Sequence, residues 1–260
     1  MPTDRVYRTE GIVLRGLDLG EADRILTLYT PQSGQLRVIA KGVRRTKSRK
    51  AGHLDLFTRS SLLVARGRQL DIVTQAEAID DFRPIRANLL RSTYCHYVAE
   101  LLLSFTAESL VNYPVYVLAL TTFQRLASAD DLDLVVRSFE LQLLSLTGYR
   151  PQLHRCLECA EPIRPGNNLF SVHLGGVLCP SCAASDRAAV PISPPALKMM
   201  RNLQTNEDSM LRVSRLESDL HREVERRLQE YIVYRLEARP RSIAVLERLR
   251  LEAEHQEVST

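Results

Sequence analysis

Three observations on the 260-residue sequence predict an α+β multidomain chain. Short β-prone runs fill the chain up to about residue 80, the apolar period changes to a helical one after Asp80, Asp81 and Pro84, and two Cys-x-x-Cys pairs interrupt the helical part. Together they specify a five-stranded β barrel over 1–80 and a mainly helical domain in two parts, 84–150 and 191–238. A cysteine-held ribbon over 151–190 is inserted between those parts, and 239–260 forms a C-terminal tail.

The candidate strands are Val6–Leu14, Arg24–Tyr29, Gln35–Lys41, Asp55–Ala65 and Leu70–Ala78, separated by Gly, Pro, Asp and Ser at the spacing of hairpins. Five strands in so short a span fit a partly open Greek-key barrel of the OB type better than a sandwich of seven or more. In the third strand, alternation sends Leu36, Val38 and Ala40 to one face and Arg37, Ile39 and Lys41 to the other.

That basic face runs on into a basic loop. Arg37, Lys41, Arg44, Arg45, Lys47, Arg49 and Lys50 fall between Leu36 and Leu54 with no acid among them. Three of the four lysines in the chain lie here, and residues 1–84 carry a net charge of +5 against −1 for the rest. A run of like charge raises a positive potential and gains by releasing the counterions condensed on a phosphate backbone. Alone, such a run also fits a solvated loop that keeps a protein soluble. Its position on a strand face of an OB-type barrel favours nucleic acid, so these seven residues are the candidate contacts. Tyr7, Tyr29 and Phe57, the aromatics of the strands, are assigned to the core, so binding is expected to lean on phosphates.

Beyond Pro84, Ile85, Leu89, Leu90, Tyr94, Tyr97, Val98, Leu101, Leu102 and Phe105 define one long helix with a wide apolar face, and Cys95 packs beside it. A second helix starts at Pro114 behind Asn112 and runs to about Ser128, and a third spans Asp131 to Thr147 before Gly148. Past the ribbon, Ser193 caps a helix through Leu203. Leu216, Leu220, Val224, Leu228, Tyr231, Ile232 and Leu236 then form the stripe of a helix returning onto the earlier three. From Ile243 a short amphipathic helix with a polar end is expected.

Cys156 and Cys159, nineteen residues, then Cys179 and Cys182 form the most specific pattern in the chain. Two such knuckles place four thiolates around one Zn2+, and the intervening Asn167, Asn168, Gly175 and Gly176 mark a hairpin. A redox dithiol needs only one pair, and His154 and His173 are superfluous once four sulfurs complete the shell. A closed tetrathiolate leaves no position for water or substrate, so the expected zinc is structural.

No phosphate-binding loop, zinc-protease helix, nucleophile elbow or dinucleotide fingerprint occurs, and the Asp80–Asp81 and Asp130–Asp131 pairs fall at element boundaries as caps. No enzyme activity is expected. Neither a signal peptide nor a segment of ~20 apolar residues is found, so a cytoplasmic location is expected.

The segment TEGIVLRGLDLGEADRILTLYTPQSGQLRVIAKGVRR resembles the N-terminal signature of the RecO family of bacterial recombination mediators. The likeness continues through RSFELQLLSLTGYRP, the cysteine pairs and LEARPRS. The resemblance implies binding to single- and double-stranded DNA and annealing of complementary strands. It further implies cooperation with RecR to help RecA load on strands coated by single-strand-binding protein (SSB), in association with the nucleoid. The family's basic barrel positions match Arg37, Lys41, Arg44 and Arg45, and its contact to the tail of the single-strand-binding protein has its nearest equivalent at Arg137, which equally fits a helix-surface arginine. Two other classes stay open: an RNA-binding barrel and zinc protein of translation or transcription, and a zinc hydrolase or thiol redox enzyme.

Overall fold

The structure is a computed structural model that describes residues 5–205 and 218–258. Its described residues fall into two compact units, unit 1 over 5–128 with 242–258 and unit 2 over 129–205 with 218–241.

In unit 1, strands β1 (Val6–Leu19), β2 (Asp23–Thr30), β3 (Gly34–Ala40), β4 (Arg59–Ala65) and β5 (Asp71–Asp80) close into a barrel in the order β1-β2-β3-β5-β4. Every pairing is antiparallel except a short parallel one between β3 and β5. Alternation puts Val38 and Ala40 of β3 inside with Leu26, Leu28, Leu62, Val64 and Val73, all at most 1% exposed. Arg37 stays outside. The first strand runs five residues past its expected end because of an irregularity between Val13 and Arg15, where the register to β2 slips. Val13 and Leu14 are consequently both buried and Arg15 is turned out.

The β2–β3 turn is fixed by Gly34, at φ +61°, whose missing side chain lets the Leu110 carbonyl approach: a Cβ there would lie 2.1 Å from that oxygen. Gly34→Ala is expected to destabilise unit 1 by well over the ~1–2 kcal/mol that a left-handed backbone alone costs an alanine, read as a lowered melting temperature. Gly20→Ala, at φ +57° with nothing within 4 Å, pays only the backbone part and serves as the control. Equal melting shifts for the two would show that the close approach is unimportant.

Two helices replace the long one expected after the barrel, α1 (Arg83–Ala87) and α2 (Leu89–Phe105). Asn88 is extended and its side chain accepts from the Arg91 N–H at 3.0 Å, so it starts a new helix where apolar periodicity sees continuity. Leu89 and Leu90 are accordingly exposed rather than part of the core face, whereas Cys95 is fully buried as expected. Helix α3 (Tyr113–Ser128) follows, its Val115 N–H bonded to Asn112 at 3.2 Å.

These helices fall in the same compact unit as the barrel. The reason is a set of specific ties: Phe57 stacks on Phe123 at 5.6 Å and meets His96 edge-on at 4.9 Å. Gln35 donates to the carbonyls of Leu103 and Thr106, at 3.1 and 2.7 Å. Glu10 holds both Arg59 of β4, at 2.9 Å, and the Tyr116 hydroxyl of α3, at 2.8 Å.

Unit 2 opens with α4 (Leu132–Leu146), capped by Asp131 as expected. A three-stranded sheet follows, β6 (Asn168–Ser171) flanked by β7 (Gly176–Leu178) and β8 (Val190–Ile192). Then α5 (Pro194–Gln204), capped by Ser193, and α6 (Ser218–Leu236) pack on each other and on α4. Val224, Leu228, Tyr231 and Ile232 of the expected stripe are buried; Leu216 lies outside the described residues. The chain then returns to unit 1 as α7 (Arg241–Val258), a helix of 18 residues where a short one was expected. Its Ser242 N–H bonds Glu100 at 3.0 Å, its Arg250 bonds the Tyr94 hydroxyl at 2.7 Å, and Ile243 and Leu246 are buried.

Candidate nucleic-acid interface and metal centre

The basic segment is an ordered ridge on the barrel. At its start Gly42, at φ +65°, donates its N–H to Asp23 at 2.7 Å, and the Arg44 N–H bonds the Ala22 carbonyl at 3.0 Å. Val43 and Leu54 drop into the barrel core, and a short 3-10 turn over Ala51–His53 is held by His53, which accepts from the Ala78 N–H at 3.1 Å. Phe57 closes the loop by bonding the Val13 carbonyl at 2.8 Å, at the strand irregularity. Fixed backbone between inward apolar pins leaves the cationic side chains facing water.

The seven basic residues then divide. Arg44 pairs with Asp18 at 3.3 Å and donates to the Gly20 carbonyl at 3.0 Å, tying the loop to the β1–β2 turn. Lys50 is half-buried, its Nζ donates to the Val73 carbonyl at 3.0 Å, and desolvation lowers its pKa. Among the described residues, Arg37, Lys41, Arg45, Lys47 and Arg49 are exposed and have no ion pair. Charges without an acid partner keep their full attraction for an external polyanion.

One basic residue escaped the sequence reading. Register aligns Arg15 with Thr27 and Thr27 with Arg37, so two exposed arginines flank a threonine across β1, β2 and β3. The next row is apolar, Leu17, Ile25, Ile39 and Ile72. Only the slip after Val13 puts Arg15 on this face, and nothing in the residue types announces that slip. Tyr29 and Phe57 are enclosed in unit 1, as expected, and Tyr7 donates to Asp71 at 2.7 Å.

The four paired cysteines meet in unit 2, with their sulfurs within 4.8 Å of one another; no other such cluster of metal-binding side chains occurs among the described residues. Cys159 and Cys179 stand 3.8 Å apart, close to the ~3.8 Å edge of a tetrahedron of sulfurs 2.3 Å from a zinc ion. Ala160, left-handed at φ +59°, closes the first knuckle by bonding the Cys156 carbonyl at 3.0 Å. In the second knuckle the Cys182 N–H bonds the Cys179 carbonyl, also at 3.0 Å. Burial opposes ionisation of Cys156, yet the N–H groups of Cys179, Cys159 and Glu158 outweigh it and bring the thiol down to about 6. Cys182 is pushed up to about 12, first by its contact with Cys179. Four sulfurs in this geometry can hold one metal ion, and the set fits zinc. His154 and His173 stand outside the cluster; His173 faces Asp186 at 3.2 Å.

Arg137 is placed inside unit 2, with no exposure, 3.2 Å from Glu140 and 3.7 Å from Glu225. Enclosed between two carboxylates, it presents no charge to a docking peptide and is not the surface arginine that the sequence also allowed. Its length and charge gave no hint of this, because the acid on α6 that completes the site is far away in sequence.

Comparison with known proteins finds relatives over most of the chain. The family model described as Recombination protein O N terminal matches residues 4–82, and the one described as Recombination protein O C terminal matches residues 86–243. The chain is 42% identical to DNA repair protein RecO of Roseiflexus sp. (strain RS-1), over 95% of this chain and 87% of that protein. It is 41% identical to DNA repair protein RecO of Desulforudis audaxviator, over 94% and 97% of the two chains. The protein of the same name from Dehalococcoides mccartyi strain 195 is 35% identical, over 94% and 96%.

Proposed function

From the premise that the chain belongs to the recombination protein O family and has a role in DNA repair and recombination, we propose that it is a DNA-binding recombination mediator. It binds single- and double-stranded DNA, anneals complementary strands and, with RecR, helps RecA load on strands coated by single-strand-binding protein. The observation that supports this reading is the pinned ridge of Arg37, Lys41, Arg45, Lys47 and Arg49, which faces solvent without acid partners among the described residues.

Annealing needs no bond chemistry. A polycationic ridge lowers the repulsion between two strands and concentrates both, so that pairing becomes nearly intramolecular. Because the ridge offers charge and few rings, base edges stay free to test registers. One zinc ion, held by Cys156, Cys159, Cys179 and Cys182, supplies no catalysis in this reading; it fixes the two knuckles on the β6–β7 hairpin. No described helix is long and apolar enough to cross a membrane.

The test is fluorescence anisotropy of a labelled single strand across a salt series. It compares the unaltered protein with a variant carrying Lys41, Arg45, Lys47 and Arg49 changed to alanine. Each lost phosphate contact removes about 0.7 from the log–log salt slope, so the variant's slope is expected to flatten by about two to three. An unchanged slope and affinity would make the ridge a solubilising loop. Matched RNA and DNA strands in competition separate repair from a role in translation or transcription.

A further inference from the structure

We infer that unit 2 carries a second contact for single-stranded DNA, a base-stacking cleft at the C-terminal end of α6. The inference rests on the DNA-binding reading above, and its site is separate from the basic ridge.

The cleft encloses about 530 Å³ and is lined by Tyr149, Tyr234, Arg235, Glu237 and Arg239 among others. Two rings stand open there, Tyr149 at 42% and Tyr234 at 43% exposure. Beside Tyr234 sits a cation already in place: the Arg235 guanidinium lies 4.8 Å from the centre of the Tyr231 ring and 5.4 Å from that of Tyr234. Gly175, at φ +95°, leaves the room this group occupies, since a Cβ there would come within 2.6 Å of an Arg235 nitrogen.

The platform is held from behind. The Tyr231 hydroxyl donates to the Tyr149 carbonyl at 3.0 Å, and its ring meets Phe170 edge-on at 5.9 Å. Tyr234 rests against His173 at 5.0 Å. Contacts of this kind restrict the Tyr231 and Tyr234 rings, so a planar ligand gains stacking at a reduced ordering cost. Glu237, left-handed at φ +53°, ends the helical path, and Arg239 follows at the rim.

Chemistry selects the ligand class. The C-terminal end of a helix is the negative end of its dipole, and Glu237 adds an acid; both offset part of the charge of Arg235 and Arg239, so a phosphate alone gains less here than a base that also stacks. A base has the π face that Tyr234 and Arg235 accept, and its flanking phosphate reaches toward Arg239. The barrel cannot supply this contact, because Tyr29 and Phe57 are enclosed and Tyr7 is held by Asp71. Phosphates on the ridge and a base in the cleft are complementary demands on one strand, or on two.

The test uses the full-length, zinc-loaded protein and two labelled probes of equal length and charge, an oligothymidine and an abasic strand with the same phosphates. Stacking predicts that the oligothymidine binds roughly 5- to 150-fold tighter. Tyr234→Ala is expected to erase that ratio and Tyr234→Phe to retain it, with zinc content unchanged in both. The ridge variant should weaken both probes and leave the ratio intact. Equal binding of the two probes by the unaltered protein, or a ratio that survives Tyr149→Ala/Tyr234→Ala, overturns the cleft. Tyr234-dependent binding of an aromatic, acidic peptide with no base preference overturns it too, in favour of a protein ligand. If neither probe binds at all, the DNA-binding reading itself fails and takes the cleft with it.

Discussion

Stripping the metal from the four-cysteine cluster is expected to unfold the ribbon while the barrel of unit 1 stays intact. The sheet that carries the knuckles is small: β6 has four residues, β7 and β8 three each. Cys156 is buried while Cys159 is exposed, so little apolar surface secures the first knuckle from outside. For sites of this kind the binding free energy of zinc, ~10–16 kcal/mol at neutral pH, is largely folding free energy. Chelation, or Cys156→Ser, should therefore abolish amide-exchange protection in 168–192 and make the remaining ribbon thiols reactive toward a disulfide reagent. Exchange in β1–β5 should not change. A stripped protein that kept its ribbon protected would show that the sulfurs pack without a metal.

The second large effect is expected at Arg137. Its guanidinium, unexposed on α4, faces Glu140, also unexposed, and Glu225 on α6. Arg137→Ala leaves two carboxylates confronting each other across a cavity, an arrangement that costs about 3–5 kcal/mol. With a urea dependence of roughly 2 kcal/mol per molar, the unfolding midpoint of unit 2 should fall by about 2 M. The paired replacement Arg137→Met/Glu140→Leu removes both the charge and its nearest partner, and should recover most of the loss. A single variant as stable as the parent would mean that the pair contributes nothing. Such a result would leave its burial without an energetic account.

Much of this was readable beforehand because it depends on short-range rules. Period-2 alternation placed Val38 and Ala40 inside and Arg37 outside, and Asp131, Asn112 and Ser193 were readable as helix starts from side-chain chemistry alone. The cysteine cluster followed from spacing, since two knuckles have few ways to satisfy four thiols.

What escaped depends on long-range partners. The slip that exposes Arg15 is a matter of register between β1 and β2. The break at Asn88 lay hidden in a continuous apolar run, because Leu89 and Leu90 count as core until the new helix turns them outward. Arg137 needed Glu225, and the Tyr149–Tyr234 cleft needed two segments that lie far apart in the chain. The barrel's union with α1–α3 hung on Phe57 meeting Phe123, which no local pattern encodes.

The return of α7 to unit 1 has a consequence for synthesis. Unit 2 is one uninterrupted stretch, whereas unit 1 is complete only when Ser242, Ile243, Leu246 and Arg250 have been made. On the ribosome, the barrel and its helices must wait without the α7 contacts to Glu100 and Tyr94 while 129–241 is translated. At 5–20 residues per second that interval lasts roughly 6–23 s. A nascent chain in this state already displays the basic ridge before its own last helix has docked.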